Sequence, residues 1–149
     1  MEILVIDGQG GGLGRQLVAA VKKAVPQAVV TAIGTNSAAT SAMLKAGADR
    51  AATGENAVVV NCRHADVIVG PIGIVIADAL LGEITPAMAA AVCQSGGVKG
   101  HVPAGDVETQ GLGGVLGIGH GEGRAGAEDP HTVAAVSYTH LRAHETCAD

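Results

Sequence analysis

Ile3-Leu4-Val5-Ile6-Asp7-Gly8-Gln9-Gly10-Gly11-Gly12-Leu13-Gly14 is the stretch that decides the fold. Its first four residues form an unbroken aliphatic run, the pattern of a strand covered on both faces in a parallel sheet. After the glycines, Leu13, Leu17, Val18, Val21 and Val25 fall on one helical face, and Pro26 ends the run. Strand, glycine loop and helix therefore follow one another without a gap. Five glycines in the seven positions 8–14 allow positive φ and let an anion approach backbone N–H groups with no Cβ in the way. The helix behind them adds the partial positive charge of its N-terminus.

The alternation continues downstream. Val29 to Ile33 reads as a strand, Gly34-Thr35-Asn36-Ser37 as a turn carrying helix caps, and Ala38 to Ala46 as a helix closed by Gly47. Arg50 to Thr53 is a short strand. Glu55 to His64 is assigned as a helix, because Asp66 to Val69 is another strand and a parallel crossover needs a helical connection. Gly70-Pro71-Ile72-Gly73 makes a second glycine turn, and the apolar Ile74 to Leu81 is predicted as a helix stopped by Gly82. Thr85 as cap with Pro86 at the first helical position begins the next helix, and Val98 to Pro103 is a final, poor strand. The sum is an α/β chain, a single Rossmann-like three-layer domain with a mostly parallel sheet, over residues 1–103.

The remainder differs in character. Residues 104–126 include nine glycines and lose both periodicities, so 104–135 is read as glycine-rich, divergent or out of frame. Val136 to Thr146 resembles a peptide translated from sequencing-adapter DNA, and 136–149 is treated as an artefactual tail outside the fold.

Composition narrows the function. The 149 residues are 48% hydrophobic and 15% charged, with no Phe or Trp and one Tyr, so base stacking on aromatic side chains is not available. The net charge of −5 arises in the last third: residues 1–103 carry seven basic and seven acidic side chains, and 104–149 carry two and seven. With no basic stripe, neither nucleic acid nor a membrane surface is expected as a partner. Cys62, Cys93 and Cys147 form no CxxC pair, which argues against zinc or a disulfide framework. No secretory signal is visible behind Met1-Glu2, and a cytoplasmic protein with reduced thiols is expected, with Cys62 and Cys93 as small core residues.

Spacing tests the loop against known phosphate cradles. Gly8, Gly12 and Gly14 fit GxxxGxG, whereas GxGxxG and the P-loop both fail, the latter because Arg15-Gln16 replaces Lys-Ser/Thr. A small-molecule nucleotide is the expected partner, with NAD(P) as cofactor. The backbone of Gly8, Gly10, Gly11, Gly12, Leu13 and Gly14 would hold phosphate, Thr35 and Asn36 would face the ribose, and Gly70 and Pro71 would close the far side of the crevice. The carboxylate that normally ends the second strand is missing, which leans the reading toward NADP. For Asn36 and Ser37 a plain capping role stands beside this one.

No catalytic set emerges. The Tyr-x-x-x-Lys pair of a short-chain dehydrogenase has no counterpart, since the only Tyr, Tyr138, is followed by Arg142 in the excluded tail. His140 and His144 have metal-gripping spacing but lie there too; Glu55-Asn56, Asp66, Asp78 and Glu83 read as caps, turns or solvated charges, and His64, next to Arg63 at a helix end, reads as a partner of the helix C-terminal dipole. Two alternatives stay open beside the nucleotide module, which is expected as a homo-oligomer: a small oxidoreductase subunit completed by a partner or by another C-terminus, and an assembly protein with a packed glycine turn.

The motifs Ile6 to Gly14, Ala32 to Asn36, Ala42 to Ala48, Thr53 to Ala57, Gly70 to Ile74 and Leu81 to Met88, taken in order, resemble an uncharacterised bacterial family, domain of unknown function 3842. The resemblance covers residues 1–103. It implies the domain limits and a bacterial cytoplasmic setting, and brings no catalytic residues with it.

Overall fold

The computed structural model describes residues 1–97 and the backbone of 98–102 and 116–118. Strands β1 (Glu2–Asp7), β2 (Val29–Gly34), β3 (Arg50–Thr53), β4 (Val67–Pro71), β5 (Val98–Val102) and β6 (Leu116–Ile118) form one sheet in the order β3-β2-β1-β4-β5-β6. All neighbours are parallel except β6, which pairs antiparallel with β5. The chain is a doubly wound α/β domain: it winds outward through β2 and β3, then crosses back to the other side of β1 at β4. That reversal opens a crevice at the C-terminal ends of β1 and β4, where open sheets of this kind take their ligands.

Alternation along the strands builds two cores. Ile3 and Val5 of β1, with Val30 and Ala32 of β2, pack under helices α1 (Gly12–Ala24) and α2 (Ser37–Lys45) through Leu17, Val18, Val21 and Met43. Leu4, Ile6, Ile33 and Ile68 face the opposite way, against α3 (Glu55–Cys62) and α4 (Pro86–Gln94). With no aromatic ring in either layer, aliphatic side chains fill both, and β1 is buried from Ile3 to Asp7. Its hydrophobic run therefore reports a central strand, as expected.

Two local readings change. Ile74 to Leu81 is not a helix: a single 3-10 turn, Ile72–Val75, is followed by a chain of turns in which Asp78 (φ 66°), Leu80 (φ 55°), Leu81 (φ 57°) and Gly82 (φ 87°) are left-handed. The apolar residues divide between the core (Ile74, Ile84) and solvent (Ile76, and Leu81 at 97% exposure) instead of forming one stripe. Cys93 is exposed on α4, its thiol near the Val75 carbonyl, whereas Cys62 is buried as expected. The sequence gives no sign of β6 within 104–135; the rest of that region, the tail, Tyr138, His140, His144 and Cys147 lie outside the described residues.

Candidate functional site

The glycine loop lies at the tip of β1, held from beneath by the side chain of Asp7. This carboxylate is 5% exposed and accepts from Gly8 N (2.8 Å) and Gly14 N (2.6 Å), tying the end of the strand to the first turn of α1. Burial pushes its pKa above the ordinary carboxylate value, the two amide donors pull against that rise, and the charge of Glu83 adds to it. Two residues then bring the loop round. Gln9 (φ 51°) and Gly11 (φ 71°) are both left-handed, and Gly11 N closes the turn on Gly8 O at 3.0 Å. A left-handed Gln9 costs about 1–2 kcal/mol. It is clamped on both sides, since its N–H donates to Glu83 and its carbonyl accepts from Asn36 Nδ2 at 2.8 Å.

The five amides from Gly10 to Gly14 are not equivalent. Gly11 N and Gly14 N are committed to Gly8 O and Asp7, while Gly10 N, Gly12 N and Leu13 N donate to no acceptor among the described residues. Of the amides expected to hold phosphate, these three are the ones left without a partner among the described residues. They border a cleft of about 510 Å³ lined by Asp7, Gly8, Gly10, Gly12, Leu13 and Pro71, with Gln16 and Leu80 at its sides. The glycines divide in the same way. A Cβ on Gly14 would stand 2.6 Å from Met43 Sδ and 2.7 Å from Asp7 Cβ, and one on Gly11 would meet Ala39 Cα at 2.7 Å, so both permit close packing of α1 and α2. Around Gly10 and Gly12 a Cβ would find nothing within 4 Å, and neither has a positive φ.

The other assigned residues separate. Pro71 lines the cleft; Gly70 lies just behind it, where a Cβ would press on Ile74 Cδ1 at 2.8 Å, so it serves packing. Thr35 and Asn36 stand at the tip of β2, and Asn36 caps α2, its Oδ1 accepting from Ala39 N at 2.9 Å. Both side chains also reach Glu83: Thr35 Oγ1 donates to Oε2 (2.9 Å) and Asn36 Nδ2 to Oε1 (3.1 Å). Glu83 is the site residue that sequence reasoning missed. It belongs to the turns after β4 and comes to rest over β1 and β2, 48 residues from Thr35 in the chain, so no local spacing announces it. The Gln9 amide, and to a lesser degree the two side-chain donors, hold its pKa below the ordinary glutamate value despite some desolvation.

Fold and site together define a class: a doubly wound α/β domain with a glycine-loop cleft at the sheet's switch point. The chain belongs to the domain of unknown function 3842 family, whose model matches residues 2–114 and so extends beyond the 1–103 covered by the resemblance in sequence. No curated protein matches the chain. Among solved structures, it is similar to a dodecameric FMN-dependent UbiX-like decarboxylase from Escherichia coli O157:H7, with 16% identity and a TM-score of 0.43, over 95% of this chain and 76% of that one. A superposition this loose leaves the cofactor and the assembly as properties of that protein. No helix among the described residues is long and apolar enough to cross a membrane, and no group of three or more His, Cys, Asp and Glu there is placed to hold a metal.

Proposed function

We propose that this chain is a nucleotide-binding protein that holds NAD(P) or a related phosphate-bearing ligand at the glycine loop. The phosphate sits on Gly10 N, Gly12 N and Leu13 N at the opening of α1, Thr35 and Asn36 lie on the ribose side, and Pro71 closes the crevice. One observation carries the reading: Gly10 and Gly12 have ordinary φ and open space where a Cβ would be, so nothing within the fold calls for glycine, yet they flank unpaired amides facing a cleft. A ligand that must approach the backbone closely accounts for both facts. Packing alone accounts for Gly11 and Gly14 only.

The site is a binding module by this reading. Asp7 is the one titratable side chain lining the cleft among the described residues, and both of its oxygens are engaged by amides, which makes it a structural anchor of the loop. The test is thermal denaturation of the full chain with NAD(H), NADP(H), ATP, FAD and S-adenosylmethionine. A ligand at 100 times its Kd stabilises by about 2.7 kcal/mol. Absence of a shift with the whole panel removes the proposal in favour of a packing role.

A further inference from the structure

The second strand lacks the acidic residue that reads a ribose in dinucleotide folds. The fold nevertheless places a carboxylate at that strand's tip. Glu83 arrives from the segment between β4 and α4 and is fixed there by three donors on two neighbouring strand ends: Gln9 N, Thr35 Oγ1 and Asn36 Nδ2. A carboxylate offers about four acceptor positions, two on each oxygen. Oε2 spends both of its positions on Gln9 and Thr35, whereas Oε1 spends one on Asn36, leaving one acceptor on a rigidly held anion beside the loop. Gly8 belongs to the same arrangement. A Cβ there would collide with the Glu83 carboxylate and stand 2.7 Å from Thr35 Oγ1, so the glycine makes room for the acid.

Resting on the nucleotide-binding reading above, we propose that Glu83 supplies in space the ribose-reading carboxylate that β2 lacks in sequence, and that the ligand therefore carries a free 2′-hydroxyl. The hydroxyl donates to Glu83 Oε1. A 2′-phosphate in that position brings two negative charges against an anion that pairs with no Arg or Lys among the described residues, so the lean toward NADP taken from the sequence is reversed. The donors around Glu83 keep it ionised at neutral pH, which sustains the repulsion.

Titration calorimetry of the full chain with NAD⁺ and NADP⁺ at one fixed ionic strength tests this, with wild type and Glu83→Gln side by side. Wild type is expected to bind NAD⁺ at least about tenfold more tightly, a difference of about 1.4 kcal/mol. In E83Q the ratio is expected to collapse to within about threefold, with NADP⁺ binding more tightly than it does to wild type. A variant that only loosened the loop would weaken both ligands, so improved NADP⁺ affinity is the readout a structural role does not produce. Equal binding of the two ligands by wild type, or parallel weakening in E83Q, overturns the role of Glu83 and leaves the nucleotide site standing. If neither ligand nor any other nucleotide of the panel binds, both readings fall. The wild-type ratio needs no variant, so the inference remains refutable even if E83Q does not fold.

Discussion

Replacing Gly12 by Ala separates a ligand-bearing glycine from a structural one, because the two roles predict effects of opposite sign. Gly12 opens α1, has no positive φ, and offers open space for a methyl group. On the free protein the substitution restricts the unfolded chain at no steric cost, which is worth about 0.4–1 kcal/mol of added stability. For a chain of this length that raises Tm by about 1–4 °C. On the complex the same methyl group enters the space beside the three free amides and pushes a phosphate outward. Losing even one hydrogen bond to a charged group costs about 1.5–3 kcal/mol, a tenfold or greater loss of affinity. At a ligand concentration giving wild type about 2.7 kcal/mol of stabilisation, a tenfold weaker variant gains only about 1.4. Differential scanning fluorimetry on both proteins, with and without ligand, measures both effects together. A raised Tm with an undiminished ligand shift refutes the assignment of Gly12 to the phosphate. A lowered Tm without ligand refutes the loop geometry itself.

Further outcomes follow from neighbouring residues. Gly14→Ala, at the same spacing from Gly12 as Gly12 is from Gly10, is expected to destabilise by about 1–3 kcal/mol, since its Cβ presses on Asp7 and Met43; urea denaturation checks it. Leu81→Gly is expected to leave stability unchanged or raise it by under about 1 kcal/mol, because an almost fully exposed leucine at φ 57° pays a left-handed penalty that glycine avoids; a clear loss in the same assay counts against the turn geometry. Asp7 has a raised pKa, so its contribution to stability is full below the unfolded carboxylate value and is lost as pH rises through the raised folded value. Anionic ligands bind best to the protonated form, so affinity measured by calorimetry is expected to weaken as pH rises through the same titration, and a flat profile in Asp7→Asn identifies the group. Glu83 has a lowered pKa and acts in the opposite sense: its contribution is present above the ordinary glutamate value and disappears as pH falls through the lowered one.

Much of residues 1–97 was legible because the signals there are local. A buried strand shows as an aliphatic run, α1 as a spaced apolar face, and α4 as Thr85-Pro86 at its start, where Thr85 Oγ1 accepts from Met88 N. All of them appear in the structure within a residue or two of where the pattern puts them. Ile74 to Leu81 failed because composition there is helical in hydrophobicity but divided in destination: Ile74, like Ile84 just beyond the segment, is in the core while Leu81 is left outside, and the chain between them runs through left-handed turns. The loop glycines were recognisable as a set, yet their division into Gly11 and Gly14 for packing and Gly10 and Gly12 for open space depends on α2 lying against α1. Glu83 was out of reach of pattern reading for the same reason. Its partners are Gln9, Thr35 and Asn36, and only the return of the chain across the sheet brings them together.

The clasp formed by Asp7 on Gly8 and Gly14 has a kinetic meaning. Both ends of the loop are fastened to one buried carboxylate, which restrains its shape. If a small anion binds there as proposed, no ordering step is expected, and association is predicted to follow a single exponential whose rate climbs linearly with concentration, without the plateau that marks a slow isomerisation.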